Sequence, residues 1–305
     1  MADGGEHSSI GRQSAALTEE HVAQFLDRGY VVVGDAYPEA LRAELAAAVR
    51  RDLPPWEQAQ ASASLPDDRV GRDQFPYAQQ ILNRFIVDPQ LLGFVRRALQ
   101  TDHIHFRYAH NWVRYPLVGA TVKASSVHRD HGNNSLLPPN DDVRYGQVSC
   151  WYFPEAVADD QAPMLIVPKE YGADVARGVR LVVPAGTLML FNTQLWHSAT
   201  PFRATTGQRY SITRIYGRAD HYWEGVGFIT SLGSNQYFRE FIGGLTATER
   251  GVFRFPPPGH PYYTPEALAA LEVQYPSWNA RGEYGLVATE QPDPPPLSRF
   301  PLPAE

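Results

Sequence analysis

Cysteine is almost absent from this sequence, and so is any surplus of positive charge. The 305 residues include one cysteine, Cys150, which cannot form a disulfide within the chain. Lys and Arg total 27 against 33 Asp and Glu, which gives a formal net charge of −6. Nucleic acids and anionic membrane surfaces are bound by clustered basic residues, so we expect neither as a partner.

Long hydrophobic runs are also missing. No apolar stretch approaches the roughly 20 residues needed to span a bilayer. The first residues lack the basic segment followed by an apolar segment that marks a secretory signal peptide. We therefore expect a cytoplasmic protein that is not embedded in a membrane.

The sequence has no flexible linker rich in Gly and Ser and no internal repeat. We therefore predict a single domain over residues 17–290. Residues 1–16 are small and polar without a period, and residues 291–305 contain six prolines. Both ends are predicted to be poorly ordered tails without chemistry.

Helix signals are concentrated in the first hundred residues. Thr18 can cap a helix, the apolar residues after it share one face, and Gly29 ends it. The following run "YVVV" predicts a strand. Pro38 and Pro89 each precede apolar residues at helical spacing, so each is predicted to begin a further helix.

Short strand-like runs dominate after Leu99, and Gly, Pro, Asn and Asp separate them. Each run is rich in Val, Ile, Tyr, Trp and Phe, and they read "HIHFRYAHNWVRY", "GQVSCWYF", "PMLIVP", "VRLVVP", "GTLMLF" and "RYSITRIYG". Many short strands without alternating long helices favour an antiparallel sandwich or barrel. The fold class is thus predicted as mainly β, with helices packed outside.

The stretch "SSVHRDHGNN" suggests a metal site. In an extended segment residues i and i+2 point to the same side, so His128 and Asp130 project together while Arg129 points away. His131 projects opposite to Asp130 and is not expected to bind the metal. The best third ligand is His197, directly after a strong strand and its turn. Two imidazoles and one carboxylate on one face suit non-haem Fe(II) in oxygen-activating enzymes.

An H-x-D triplet also occurs by chance, and these residues could simply be polar residues of a turn. A second motif, "RYS", favours the metal site. Arg209 and Ser211 share a strand face, where a guanidinium can hold a carboxylate by two hydrogen bonds and the hydroxyl can add a third. This pair predicts a binding site for 2-oxoglutarate. Asn111 and Arg114, just before the ligand loop, are candidates for holding a small polar substrate or are ordinary strand residues.

The chain resembles the phytanoyl-CoA dioxygenase family of Fe(II)/2-oxoglutarate-dependent oxygenases. Four segments carry the resemblance, which covers most of residues 17–218: "LTEEHVAQFLDRGYVVVGDA", "VHRDHG", "VSCWYFPEAV" and "GTLMLFNTQLWHSATPFRATTGQRYSIT". The resemblance implies a double-stranded β-helix, or jelly-roll, with N-terminal helices against one sheet. It places the iron ligands at His128, Asp130 and His197 and the 2-oxoglutarate arginine at Arg209. It further implies that Trp151 packs its ring against the co-substrate.

The expected reaction is hydroxylation of a small molecule by O2, with release of succinate and CO2 from 2-oxoglutarate. Epimerisation, cyclisation and desaturation by the same iron site stay open, because they depend on how the substrate is placed. The polar insertion "HGNNSLLPPNDDVRYG" inclines the substrate towards a secondary metabolite rather than an organic acid. A zinc hydrolase has no use for Arg209 and Ser211. A non-catalytic jelly-roll binding protein would be expected to have lost one of the four key residues.

Overall fold

The computed structural model describes residues 17–62, 70–116, 127–130, 142–221, 235–260 and 262–285. The two predicted tails lie outside the described residues. The contacts of the chain group into two compact units, Met1–Leu232 and Gly233–Glu305. The single domain expected over residues 17–290 therefore stays a prediction, and each unit is described by itself.

The first unit begins with helices, as the sequence predicted. Their bounds are α1 Glu19–Arg28, α2 Glu39–Asp52, α3 Trp56–Ala59, α4 Gln80–Arg84 and α5 Pro89–Leu99. Thr18 caps α1 through its side chain, and His21 returns a contact to the cap in a capping box. Gly29 ends α1 in the left-handed conformation with φ 80°. Helix α5 begins at the predicted Pro89. The side chain of Asp88 caps it by accepting a hydrogen bond from the backbone N–H of Leu91.

Two antiparallel sheets form the centre of this unit. The strands are β1 Tyr30–Val33, β2 Val70–Gln74, β3 Ile104–Arg114, β4 Val148–Phe153, β5 Met164–Ile166, β6 Val179–Arg180, β7 Thr187–Asn192, β8 His197–Ala199 and β9 Arg209–Arg218. The large sheet has the order β1-β7-β4-β9-β3-β2 and the small sheet the order β6-β5-β8. The mainly β fold with flanking helices is confirmed, although β2 and β8 were not predicted.

The pleat of the large sheet gives it two different faces. One face packs against residues of the small sheet and its flanking loops in a common core, which contains Tyr30, Phe153, Val157, Met164, Ile166, Leu181, Val183, Met189, Phe191 and Leu195. We call this the inner face. The strand registers extend it to every second residue of β3 and β9, because directly paired residues point to the same side.

The outer face of the large sheet is joined to the helices by hydrogen bonds from buried side chains. Arg214 of β9 donates to the carbonyl oxygen of Leu82 at 2.8 Å and to the hydroxyl of Tyr77 at 3.2 Å. The Tyr216 hydroxyl donates to the carbonyl of Ile86 at 2.6 Å. Aromatic contacts such as Tyr37 with Tyr152, at 5.5 Å between ring centroids, complete this layer. The helices thus fix the back of the sheet and leave the inner face for the small sheet.

The second unit is helical in its described part. It contains α6 Gln236–Gly243, α7 Ala247–Gly251, α8 Pro265–Gln274 and α9 Ala280–Tyr284. The buried Arg250 lies over the Trp278 ring, 3.9 Å from its centroid, and pairs with Glu283 at 2.6 Å. Across the described residues, no helix combines the length and hydropathy that crossing a membrane requires.

The end of α1 generates a stability prediction. A Cβ at Gly29 would lie 2.7 Å from Leu195 Cδ2, and the positive φ is unfavourable for any other residue. Gly29→Ala should therefore lower the free energy of unfolding by about 1–2 kcal/mol in urea titrations. Gly93→Ala is the matched control, because this helical glycine has open space around it and alanine should stabilise α5 by about 0.5–1 kcal/mol. Equal effects of the two changes would contradict the prediction.

Candidate functional site

His128, Asp130 and His197 come together at β8 of the small sheet. His197 begins β8, and a reciprocal pair of backbone hydrogen bonds, each 2.9 Å, joins it to His128. This isolated bridge places both imidazoles side by side, with their ring centroids 4.5 Å apart. Asp130 follows on the same side of the segment, as the i, i+2 spacing predicted. Among the described residues this is the one group of three that can hold a metal ion.

The distances within this group fit a metal ion. His128 Nε2 lies 3.5 Å from Asp130 Oδ1, and His197 Nε2 lies 3.6 Å from Asp130 Oδ2. Adjacent ligands of a small divalent ion, each about 2.1 Å from it, are separated by roughly 3 Å. Two imidazoles and a carboxylate also leave further coordination positions open. The arrangement therefore fits the facial set expected from the sequence.

The hydrogen bonds of His197 prepare its ring for metal binding. Its Nδ1 lies 3.0 Å from the carbonyl oxygen of Leu195, which can only accept, so Nδ1 carries the proton and Nε2 is the free base. His197 is 4% exposed and its ring packs against Phe191 at 5.0 Å. Burial lowers the pKa of His197, against the opposing effect of Asp130. The ring is thereby kept neutral, as a metal ligand must be.

The residues next to His128 and Asp130 in the H-x-D segment are not expected to bind the metal. The guanidinium of Arg129 lies 4.7 Å from the ring centroid of Trp196 in a cation–π contact. This contact involves the residue before His197 and not the metal group, in agreement with the predicted alternation. The expectation for His131 lies outside the described residues.

Arg209 is a buried cation at the start of β9. It is 2% exposed, and its Nη1 donates to the carbonyl oxygen of Ala162 at 3.0 Å. Its Nε has no hydrogen-bond partner, and among the described residues no acidic side chain pairs with it. Burial, with a smaller contribution from Arg114, lowers the pKa of Arg209 to about 9, which still leaves it charged at neutral pH. A buried charge without a counterion is costly, so this site fits a carboxylate ligand.

Ser211 and Trp151 lie on the inner face beside Arg209. Ser211 is fully buried, and its hydroxyl has no hydrogen-bond partner in the described part of the chain. The Trp151 ring centroid lies 6.0 Å from the guanidinium of Arg209 and 6.4 Å from the ring of Phe191, which in turn contacts His197. Through these contacts Trp151 connects the arginine to the aromatic neighbour of His197. The roles assigned to these side chains remain predictions.

Two inner-face residues were missed by sequence reasoning, and one candidate lies on the wrong side. Asn111 is on the outer face, where its Oδ1 accepts from Arg214 at 3.3 Å, so it does not line the site. Its neighbour His110 points inward, opposite Thr213 of β9. Thr213 could have been found by extending the i, i+2 spacing of Arg209 and Ser211 by one step. His110 required the register between β3 and β9.

Solved structures of similar fold include enzymes of nogalamycin biosynthesis. The non-heme alpha ketoglutarate dependent epimerase SnoN from nogalamycin biosynthesis matches at 17% identity with a TM-score of 0.52, over 66% of this chain and 82% of its own. The carbocyclase SnoK from the same biosynthesis matches at 17% identity and 0.51, over 73% and 92%. HygX from Streptomyces hygroscopicus, solved with nickel and 2-oxoglutarate, matches at 17% and 0.50, over 67% and 88%. At this identity the likeness shows the fold, which is the predicted jelly-roll.

Comparison with curated proteins gives no match. The model of the phytanoyl-CoA dioxygenase (PhyH) family, in contrast, matches residues 25–209, which is more than half of the chain. That range includes the three clustered ligands, Trp151 and Arg209. The resemblance inferred from the sequence is confirmed, and the chain belongs to the phytanoyl-CoA dioxygenase family.

Proposed function

We propose that the protein hydroxylates a small organic molecule with O2, and that it converts 2-oxoglutarate to succinate and CO2 in the same cycle. An iron- and 2-oxoglutarate-dependent enzyme follows from the family. The dioxygenase reaction, its outcome and the roles of individual residues are the proposed part. In this proposal His128, Asp130 and His197 hold Fe(II), and Arg209 and Ser211 bind the distal carboxylate of 2-oxoglutarate.

The observation that carries the proposal is the buried Arg209 on the inner face of the large sheet, which Trp151 and Phe191 connect to the metal group. A hydrolytic metal site needs no buried cation without a counterion, and a binding protein would have no reason to retain both the metal group and Arg209. When bound, Fe(II) supplies the activation of O2 and of the C–H bond. The protein side chains hold the metal, orient the two carboxylates of the co-substrate and exclude water.

The charge of the inner face guides the choice of substrate. Arg72 lies over the ring of Trp112 on this face, 4.9 Å from its centroid, and Arg114 is paired directly with Arg209 across β3 and β9. These cations favour a substrate with oxygen-rich or acidic groups, either a secondary metabolite or an organic acid. A cytoplasmic location, expected from the single cysteine, is part of the same proposal.

Product analysis with and without substrate tests the function. Protein loaded with Fe(II) under anaerobic conditions should form succinate from 2-oxoglutarate when oxygen is added. A panel of hydroxylated metabolites and organic acids should contain compounds that accelerate succinate formation and gain one oxygen atom in mass. A product that has lost two hydrogens would indicate desaturation instead of hydroxylation. A product with changed stereochemistry and unchanged mass would indicate epimerisation.

The metal assignment predicts the behaviour of His197→Ala. Loss of a direct ligand should weaken Fe(II) binding by more than about 100-fold. Substitution of residues that only hydrogen-bond to a metal ligand already lowers metal affinity by about 10–100-fold. Metal content after gel filtration, measured by mass spectrometry, checks this. His103→Ala is the control, since this exposed histidine lies outside the metal group. Full stoichiometric iron in His197→Ala would remove the residue from the site.

The co-substrate assignment predicts the behaviour of Arg209→Lys. Lysine keeps the charge but cannot form the two parallel hydrogen bonds of a guanidinium. Loss of one charge-assisted contact of about 1.5–3 kcal/mol should raise the KM for 2-oxoglutarate roughly tenfold to hundredfold. Iron content should be unchanged. If the KM for 2-oxoglutarate did not move, Arg209 would not bind the co-substrate.

Asp130 predicts that the reaction does not transfer halide. Its carboxylate would occupy a coordination position on the metal that a halide ligand would otherwise need. Turnover of accelerating compounds in bromide buffer should therefore give no brominated product by mass spectrometry, with chloride buffer as the control. A brominated product from the wild-type protein would contradict the ligand role of Asp130.

A further inference from the structure

Four buried polar atoms on the inner face of β3 and β9 have no hydrogen-bond partner among the residues that the structure describes. They are Arg209 Nε, Ser211 Oγ, Thr213 Oγ1 and His110 Nδ1. Ser211 is fully buried, and Thr213 and His110 are each 3% exposed. Buried polar groups in folded proteins nearly always have a hydrogen-bond partner. Four unpartnered atoms on one continuous surface therefore indicate a polar ligand.

The positions of these residues describe an extended ligand. Arg209, Ser211 and Thr213 follow one another at i, i+2 and i+4, so their Cα atoms span roughly 13 Å along β9. Thr213 is paired directly with Trp151 of β4. Since Trp151 packs towards Phe191 and His197, Thr213 lies on the metal side of Arg209. A linear dicarboxylate held at one end by Arg209 would therefore pass Thr213 on its way to the metal group.

His110 adds a hydrogen-bonding group at the same level. It is the direct cross-strand partner of Thr213, and Trp112 packs against its ring at 4.9 Å between centroids. Burial, together with the nearby charges of Arg214 and Arg72, lowers the pKa of His110 to about 3. The ring is neutral at physiological pH, so one nitrogen can donate a hydrogen bond while the other accepts. If Nδ1 of His110 carries the proton, this nitrogen and the Thr213 hydroxyl can both form hydrogen bonds to the same end of a ligand.

We propose that His110 and Thr213 form a second anchor for 2-oxoglutarate, which binds the oxo-acid end while Arg209 and Ser211 bind the distal carboxylate. This inference rests on the proposed function, because it takes 2-oxoglutarate as the ligand of the inner face. Two anchors at different positions along the strand fix the direction of the co-substrate as well as its affinity. Neither His110 nor Thr213 is a metal ligand, so both act by binding and positioning.

Calorimetric titration of 2-oxoglutarate into Ni(II)-loaded protein measures this binding without turnover. Thr213→Val keeps the shape of the side chain and removes only the hydroxyl, and His110→Leu removes the imidazole. Each should weaken 2-oxoglutarate binding about three- to tenfold, the effect of one lost hydrogen bond. His110→Asn should restore most of the affinity, because its amide can donate near the position of Nδ1.

Thermal unfolding without ligand separates binding from a structural role. Removal of a buried hydroxyl that has no protein partner should leave the Tm of Thr213→Val unchanged or raise it. A residue kept for the fold would lower the Tm instead. Tyr152→Phe is the matched control: the Tyr152 hydroxyl is also buried without a partner, but it lies on the outer face. This variant should bind 2-oxoglutarate as the wild type does.

The possible results distinguish this inference from the proposed function. If the wild type does not bind 2-oxoglutarate, both are wrong. If the wild type binds it and Arg209→Lys is weakened, while Thr213→Val and His110→Leu bind as tightly as the wild type, only the second anchor is wrong. Weakening in either of these two variants at an unchanged Tm, with Tyr152→Phe unaffected, supports the anchor. Should one variant fail to fold, the other decides.

Discussion

The alternating pleat of β9 is the constraint on which the rest of the structure depends. One strand carries two buried arginines, and the alternation sends them to opposite sides of the large sheet. Arg214 points outward, where carbonyl and hydroxyl oxygens surround it. Arg209 points inward, where a single carbonyl accepts from it. A shift of β9 by one residue would exchange the two environments, so the register of this strand determines which cation faces the site.

The two faces contribute differently to stability and to function. On the outer face the hydroxyls of Tyr210 and Tyr216 donate to carbonyls of the helical segments, Leu53 at 2.8 Å and Ile86 at 2.6 Å. These bonds and the aromatic layer hold the sheet in place. On the inner face unpartnered polar atoms cost stability, by about 1–3 kcal/mol for each buried group. The well-bonded outer face can offset this cost on the inner face, where we propose that a ligand binds.

Much of this arrangement was predictable from the sequence, for identifiable reasons. The capped helix α1, most long strands and the His128–Asp130 pair depend on local rules of capping and alternation. The short strands β2 and β8 were missed because "VGRDQ" and "HSA" carry little apolar periodicity and form through pairing with distant strands. His110 was missed, and the role of Asn111 was left open, for the same reason. Adjacent residues of a strand point to opposite faces, and only the register with β9 shows which of them points inward.

The distance between the metal group and Arg209 depends on the packing between the two sheets. The metal ligands belong to the small sheet and its bridge, whereas Arg209 belongs to the large sheet. Strand pairing within either sheet does not connect the metal group to Arg209. Side chains do: His197 rests on Phe191, Phe191 contacts Trp151, and Trp151 lies beside Arg209. Because interiors are packed as densely as crystals, these rings act as a rigid spacer of fixed length. The resemblance implies that Trp151 packs against the co-substrate, and its contacts also connect Arg209 to the ring that His197 packs against.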